Sequence, residues 1–410
     1  MYYFFFLPVG TDVTLARRCI VTPFLVLANI AVFLLVDIVL RAPGLVYALA
    51  WKPAAPALLE ALTACFLHAG PLHLAGNMLY LLLLGPAVED RLGRVRFLSL
   101  YLLSGVLAMM AQAAFVLRFA PAFASYPVVG ASGAVAGTLG ALLIRLPHAR
   151  VRVASATLLL LHGVHKVGVR FIAVPVAVFA WVVLQLGYGL FAPEGYTAYW
   201  SHLGGLAAGA ALAVAGGALR AGRYERRLVR AARYAEGGGW FAASGEYESA
   251  LRLARSPDAQ VLGAYARALV AAGRRGRAIG IYQRAVGGEL RRNAKAAVAL
   301  YLELERLLPA AVLSGDDQIA IARALRAEGE LEAAAQALID YAEAYRGEPR
   351  AELARLLAAE VLARELGDLE GAATFYRDID PRLLPPRWQR HLAARRAGRR
   401  HRQESARARA

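Results

Sequence analysis

Six long apolar runs fill the first half of the chain, at 21–40, 63–84, 97–117, 131–146, 171–190 and 200–219. A helix needs about 20 mostly apolar residues to cross a bilayer core of ~30 Å, so the pattern predicts six membrane helices. Between the fourth and fifth runs, 148–168 holds a short apolar core at 154–161 with basic flanks. It is too short to span and is expected at the inner interface. Beyond Gly222 the apolar residues recur at helical spacing among Arg, Ala and Glu, which predicts a soluble helical region.

Charge orients the runs. Arg17 and Arg18 precede the first, Arg91, Arg94 and Arg96 follow the second, and Arg145, Arg150, Arg152, Lys166 and Arg170 surround the link from fourth to fifth. Arg220, Arg223, Arg226 and Arg227 follow the sixth, while the opposite loops hold Arg41, Lys52 and Arg118. The positive-inside bias places both termini in the cytoplasm. The fourth and sixth helices then both run from outside to inside, and residues near their starts share a depth near the outer face.

Composition changes the picture in three places. The 410 residues carry a formal charge of +17, which would suit nucleic acid, but topology explains the excess and no basic–aromatic stripe accompanies it. No nucleic-acid partner is expected. Two cysteines, Cys19 and Cys65, fall on opposite sides of the bilayer and exclude a disulfide framework. The aromatic start, 1–10, lacks a basic n-region and does not read as a cleavable signal peptide.

Polar residues at the shared depth carry the candidate chemistry. Ser132 sits in Gly-Ala-Ser-Gly at the head of the fourth run, and His202 in Ser-His-Leu-Gly-Gly at the head of the sixth. A serine becomes a nucleophile when a neighbouring base takes its proton, and histidine is the natural base. Gly133, Gly137 and Gly140 on one helix, with Gly205 and Gly209 on the other, would let the two approach closely. In the second run His73 and Asn77 are four apart, hence on one helical face, after a Gly70-Pro71 pair suited to a helix start. They are candidate donors to a developing oxyanion; interhelical glue is the other reading of Asn77. No acidic residue shares that depth: Asp37 is on the first run, Glu194 in an outer loop, and Glu89-Asp90-Arg91 reads as a structural ion cluster. A Ser–His dyad is expected, without metal or cofactor. His148, His162 and His165, scattered and lacking carboxylate or cysteine companions, do not make a metal site.

These motifs resemble the rhomboid family of intramembrane serine proteases over residues 20–220. His-x-x-x-Asn at His73 and Asn77, Gly-x-Ser-Gly at 130–133 and His-x-x-Gly at 202–205 occur in the family's order, as do Gly-Asn-Met-Leu-Tyr at 76–80 and Val-Glu-Asp-Arg-Leu-Gly at 88–93. The resemblance implies a six-helix bundle, Ser132 as nucleophile, His202 as base, and an oxyanion site of His73, Asn77 and the Ser132 amide. It also implies transmembrane protein substrates, cut near their outer ends where a small residue lies in an easily unwound segment. Two features depart from the pattern. Ala136 stands where some members stack an aromatic on the base, and Trp51-Lys52 lies too far upstream of His73 to match the Trp-Arg pair of others. A catalytically silent relative that binds or escorts membrane segments is the alternative, but it should lack the nucleophile or the base. A transporter would spread ionisable residues along a pathway.

In the tail, Gly-x-x-x-x-Ala recurs at Gly245/Ala250, Gly273/Ala278, Gly329/Ala334 and Gly367/Ala372, with Tyr282, Leu338 and Tyr376 four beyond three of the alanines. Glycine at a hairpin turn, then a small residue where helices meet, resembles degenerate tetratricopeptide repeats, a surface that would bind a partner protein; a non-repeating helical domain is the alternative. The expected organisation is all-α: an N-terminal cytoplasmic segment at 1–20, a membrane bundle at 21–220, a helical domain at 221–394 and a basic disordered tail at 395–410. The Ala-, Arg- and Gly-rich usage suits a GC-rich bacterial genome, and with the apolar runs the expected location is a bacterial inner membrane.

Overall fold

A computed structural model describes residues 2–159, 165–191, 198–309 and 311–407. It divides into two compact units, Met1–Arg226 and Arg227–Ala410, close to where the apolar pattern stops.

In the first unit, helix α1 (Val21–Phe33) continues into a π-helical turn, Leu34–Val39. Short helices α2 (Pro43–Leu49) and α3 (Leu58–Thr63) cross the following segment. Then come α4 (Pro71–Leu92), α5 (Arg94–Phe119), α6 (Ser132–Arg145), α7 (Val174–Phe191), α8 (Tyr199–Ala215) and α9 (Ala218–Glu236). The second span is displaced from its expected place at 63–84: Gly70-Pro71 breaks the apolar run, and the helix starts at Pro71 and extends to Leu92. The α1 span, α4, α5 and α7 are long and apolar enough to cross a membrane. Helix α6, of 14 residues, rises only ~21 Å. The sixth run turns by 81° between α8 and the charged α9, so the span ends at Ala215 rather than at 219.

Carboxylates at the end of α4 order the chain before α1. Glu89 accepts from the N–H groups of Ile20, Val21 and Thr22 at 2.7, 2.9 and 2.8 Å and from the Thr22 hydroxyl at 2.7 Å. Asp90 accepts from the amides of Ala16 and Arg17 and pairs with Arg91. Glu225 on α9 bonds Arg145 at 2.6 Å and also faces Arg91 and His148. Burial alone would raise the Glu225 carboxyl, but the neighbouring His148, the hydrogen bond from Arg145 and the charges of Arg145 and Arg91 outweigh it and hold it at about 2. A folded-state value below the ordinary 4.5 means that its stabilisation is complete above the ordinary value and is lost as pH falls through about 2. Glu225→Gln should therefore lower the thermal midpoint of the detergent-solubilised chain at pH 7. The difference from wild type should shrink on acidification below the ordinary carboxylate value, and a pH-independent difference would contradict this.

The 148–168 stretch is not merely an apolar surface segment. Strands β1 (Tyr2–Thr11), β2 (Arg150–Leu159) and β3 (His165–Ala173) form an antiparallel sheet in the order β1-β2-β3. Thr11 pairs with Val151, and Arg150 with Ala173. Arg152 is exposed while Val151 and Val153 are buried, the two-residue alternation of a half-buried strand. His148 turns to Glu225, His165 opens β3, and His162 and Glu194 lie outside the described residues. Among the described residues no cluster of three His, Cys, Asp or Glu forms a metal site.

The second unit is helical throughout its described length: α10 (Trp240–Leu253), α11 (Ala259–Ala271), α12 (Arg275–Leu290), α13 (Ala294–Leu307), α14 (Gly315–Ala327), α15 (Leu331–Ala344), α16 (Pro349–Arg364), α17 (Leu369–Asp378) and α18 (Pro386–Arg407). Gly273, Gly329 and Gly367 follow helix ends with φ of 76°, 88° and 73°, and Ala278, Ala334 and Ala372 are fully buried. Gly245 departs from that pattern, since it lies inside α10 and the preceding turn uses Gly238. The tail expected to be disordered from 395 is instead helical to Arg407. Its first arginines find partners: Arg395 forks onto Glu360 at 2.8 and 2.6 Å, and Arg396 donates to the carbonyls of Tyr376, Arg377 and Ile379.

Candidate active site

Ser132 is the first residue of α6 and His202 lies in the first turn of α8. Their helices cross with backbone against backbone. A Cβ added to Gly205 would sit 2.1 Å from the Gly133 carbonyl oxygen, one on Gly209 2.0 Å from that of Gly137, and one on Gly140 2.1 Å from that of Leu206. This approach brings His202 Nε2 to 2.9 Å from Ser132 Oγ. The start of α8 is also tied to α5, where Gln112 Oε1 accepts the Ser201 N–H at 3.0 Å.

The loop entering α6 is fixed from several sides. Trp51, buried between α2 and α3, exchanges both backbone hydrogen bonds with Val128, at 3.2 and 2.7 Å. The Gly130 N–H donates to the Ala64 carbonyl at 2.8 Å. Gly130 adopts φ +127°, and a Cβ there would meet His73 Cε1 at 2.8 Å, His73 Nε2 at 2.9 Å and Asn77 Nδ2 at 3.7 Å. Glycine is needed for the backbone angle and for the space alike.

His73 and Asn77 therefore border the nucleophile loop from α4. The Ala69 N–H points at His73 Nδ1 at 3.4 Å, which favours the proton on Nε2, the nitrogen beside Gly130. Asn77 Nδ2 is buried without a hydrogen-bond partner among the described residues. A buried unpaired donor is costly to keep, and at this place it suits an oxygen that becomes charged during reaction. The Ser132 N–H, at a helix start, belongs to the amides that lack an intrahelical acceptor. His68, buried with both ring nitrogens unpartnered among the described residues, meets His73 edge-on at 5.2 Å.

Three contacts of His202 were invisible to motif reading. Gln185 Oε1 on α7 lies 2.8 Å from His202 Nδ1. The rings of Trp181 and Tyr199 lie 6.2 and 6.3 Å from the imidazole, tilted by 34° and 89°. They supply the aromatic surroundings that Ala136 cannot. Asp37 and the Glu89–Asp90 pair make no bond to the histidine.

The family model for the Rhomboid domain matches residues 55–218. Over 170 residues, 42% of this chain, the sequence is 36% identical to rhomboid protease GluP of Bacillus subtilis (strain 168), covering 28% of that protein. Over 85 residues, 21% of this chain, it is 36% identical to RHOMBOID-like protein 6, mitochondrial, of Arabidopsis thaliana, covering 25% of it. The chain thus spans about a quarter of the length of these curated relatives. The stretch that brings α4, α6 and α8 together is, over residues 55–218, a Rhomboid domain by its match to the family model.

Proposed function

We propose that the chain is an intramembrane serine endopeptidase acting through Ser132 and His202. The observation that carries this reading is the 2.9 Å contact of Ser132 Oγ with His202 Nε2, made between helices that the hydropathy pattern sends through the membrane. His202 Nε2 takes the hydroxyl proton as Oγ attacks the scissile carbonyl. The resulting oxyanion accepts from the Ser132 N–H, Asn77 Nδ2 and His73 Nε2. Collapse passes the proton from His202 to the leaving amine, and a water activated by the same imidazole then releases the acyl group. Substrates are transmembrane segments of other proteins, and the positive-inside bias supports cleavage near the outer face with both termini cytoplasmic, in a bacterial inner membrane. The helical tail acts as a repeat-like docking surface for a partner protein, supported by its glycine turns and buried alanines.

A fluorophosphonate, which phosphonylates an activated serine, should label the detergent-solubilised chain on the peptide that contains Ser132, as read by mass spectrometry. Labelling elsewhere, or none on folded protein, would contradict the assignment and favour a silent binder of membrane segments.

A further inference from the structure

We propose that Gln185 is the positioning residue of the base, so that the site is a line of serine, histidine and glutamine instead of a bare pair. The inference rests on the proteolytic reading above. Imidazole accepts the serine proton at Nε2 only while its own proton sits on Nδ1. Something must hold it there. In serine proteases with a triad a buried carboxylate does so; here the amide oxygen of Gln185 stands at 2.8 Å from Nδ1.

The surroundings leave this role to Gln185. From α8 itself Tyr199 presents its ring edge-on, and from α7 Trp181 lies tilted; neither offers Nδ1 an acceptor. From α5 the Gln112 carbonyl is committed to the Ser201 amide, and from α6 the contact is Ser132 itself. From α4 the titratable group close enough to act on the ring electrostatically is His73. Among the described residues no Asp or Glu forms an ion pair with His202. The amide also has a sense. Were its NH₂ to face Nδ1, the ring proton would move to Nε2 and point at Ser132 Oγ, leaving the hydroxyl no acceptor.

The choice of an amide follows from the solvent. Helix α7 buries little of its surface, with Val174, Val178 and Gly189 its buried residues, and a carboxylate two-thirds of the way along it would be expensive in lipid. A neutral acceptor fixes the tautomer without that cost. It also stabilises the imidazolium less than an anion would, which gives the test its direction.

The test measures the fluorophosphonate labelling rate of the full chain in detergent as a function of pH, alongside cleavage of a model transmembrane substrate. Gln185→Leu should slow labelling by roughly 10- to 100-fold, the worth of one hydrogen bond to a group that becomes charged, with kcat falling more than KM rises. Gln185→Glu should recover most of the rate at neutral pH. It should also shift the acid limb of the profile upward by about one unit or more, because an anion beside Nδ1 favours the protonated ring. A residue that merely packs α7 against α8 would not move that limb. A leucine variant as fast as wild type, or a glutamate profile superimposed on it, overturns the proposal. If the leucine variant fails to fold, the glutamate profile decides alone. Absence of Ser132 labelling in the wild type would instead overturn the proteolytic reading and take this inference with it.

Discussion

Ser132→Ala is expected to reduce cleavage of a transmembrane substrate by a factor on the order of 10⁴–10⁶ while the protein stays folded, since removing either half of a catalytic unit removes nearly all of its effect. His202→Ala should be about as damaging, and the double variant little worse than either. The 2.9 Å contact between Oγ and Nε2 is the reason: without the serine there is no nucleophile, and without the imidazole no acceptor for its proton. Asn77→Ala should fall between these and wild type, losing on the order of 10²-fold in kcat as one oxyanion donor is removed. Turnover is to be measured at equal concentrations of folded protein. Losses in the two single variants that multiply in the double would mean that the residues act independently, against the assigned roles.

Gly209→Val should inactivate the protein by a different route. Even the first carbon of the new side chain would stand 2.0 Å from the Gly137 carbonyl oxygen and 2.5 Å from its Cα. Backbone cannot rotate aside as a side chain can, so α6 and α8 must part. A displacement near 1 Å is enough to cost ~10²-fold in a reaction that depends on alignment, and overpacking adds ~1–3 kcal/mol of destabilisation. Labelling at Ser132 should be nearly lost and the thermal midpoint lowered. Gly187→Ala on α7, where an added Cβ meets nothing within 4 Å, should behave as wild type. Normal labelling of the valine variant would mean that the helix crossing does not set the geometry of the site.

The glycines that make that crossing were readable because close helix approach in lipid demands small residues at fixed spacing, and the sequence shows them. The start of α4 was readable only in part. Hydropathy sees Thr63 to Leu84 as one apolar run, whereas Gly70-Pro71 divides it and leaves Ala64 free to accept the Gly130 amide. The hairpin of β2 and β3 announced itself in Arg150-Val151-Arg152-Val153, a period of two that a search for twenty-residue runs passes over. Gln185 left no such trace. One amide in an apolar helix has no motif around it, and its partner is 17 residues away on a helix whose orientation only the packing determines. For the same reason Trp181 and Tyr199 replace the missing aromatic at 136 from positions that no spacing rule connects to the nucleophile.

The four bonds that Glu89 accepts around the start of α1 have a consequence for biogenesis. Helix α1, made before α4, is stripped of acceptors at its leading amides until a carboxylate 67 residues further along the chain has been made and brought alongside. Until then Val21 and Thr22 must rely on water or headgroups for their hydrogen bonds, so α1 at first has a provisional boundary. Arrival of α4 sets that boundary, and the same event orders the backbone of Ala16 and Arg17 through the neighbouring Asp90. Assembly of these two helices is therefore sequential in time: α1 acquires its final boundary only when α4 docks against it.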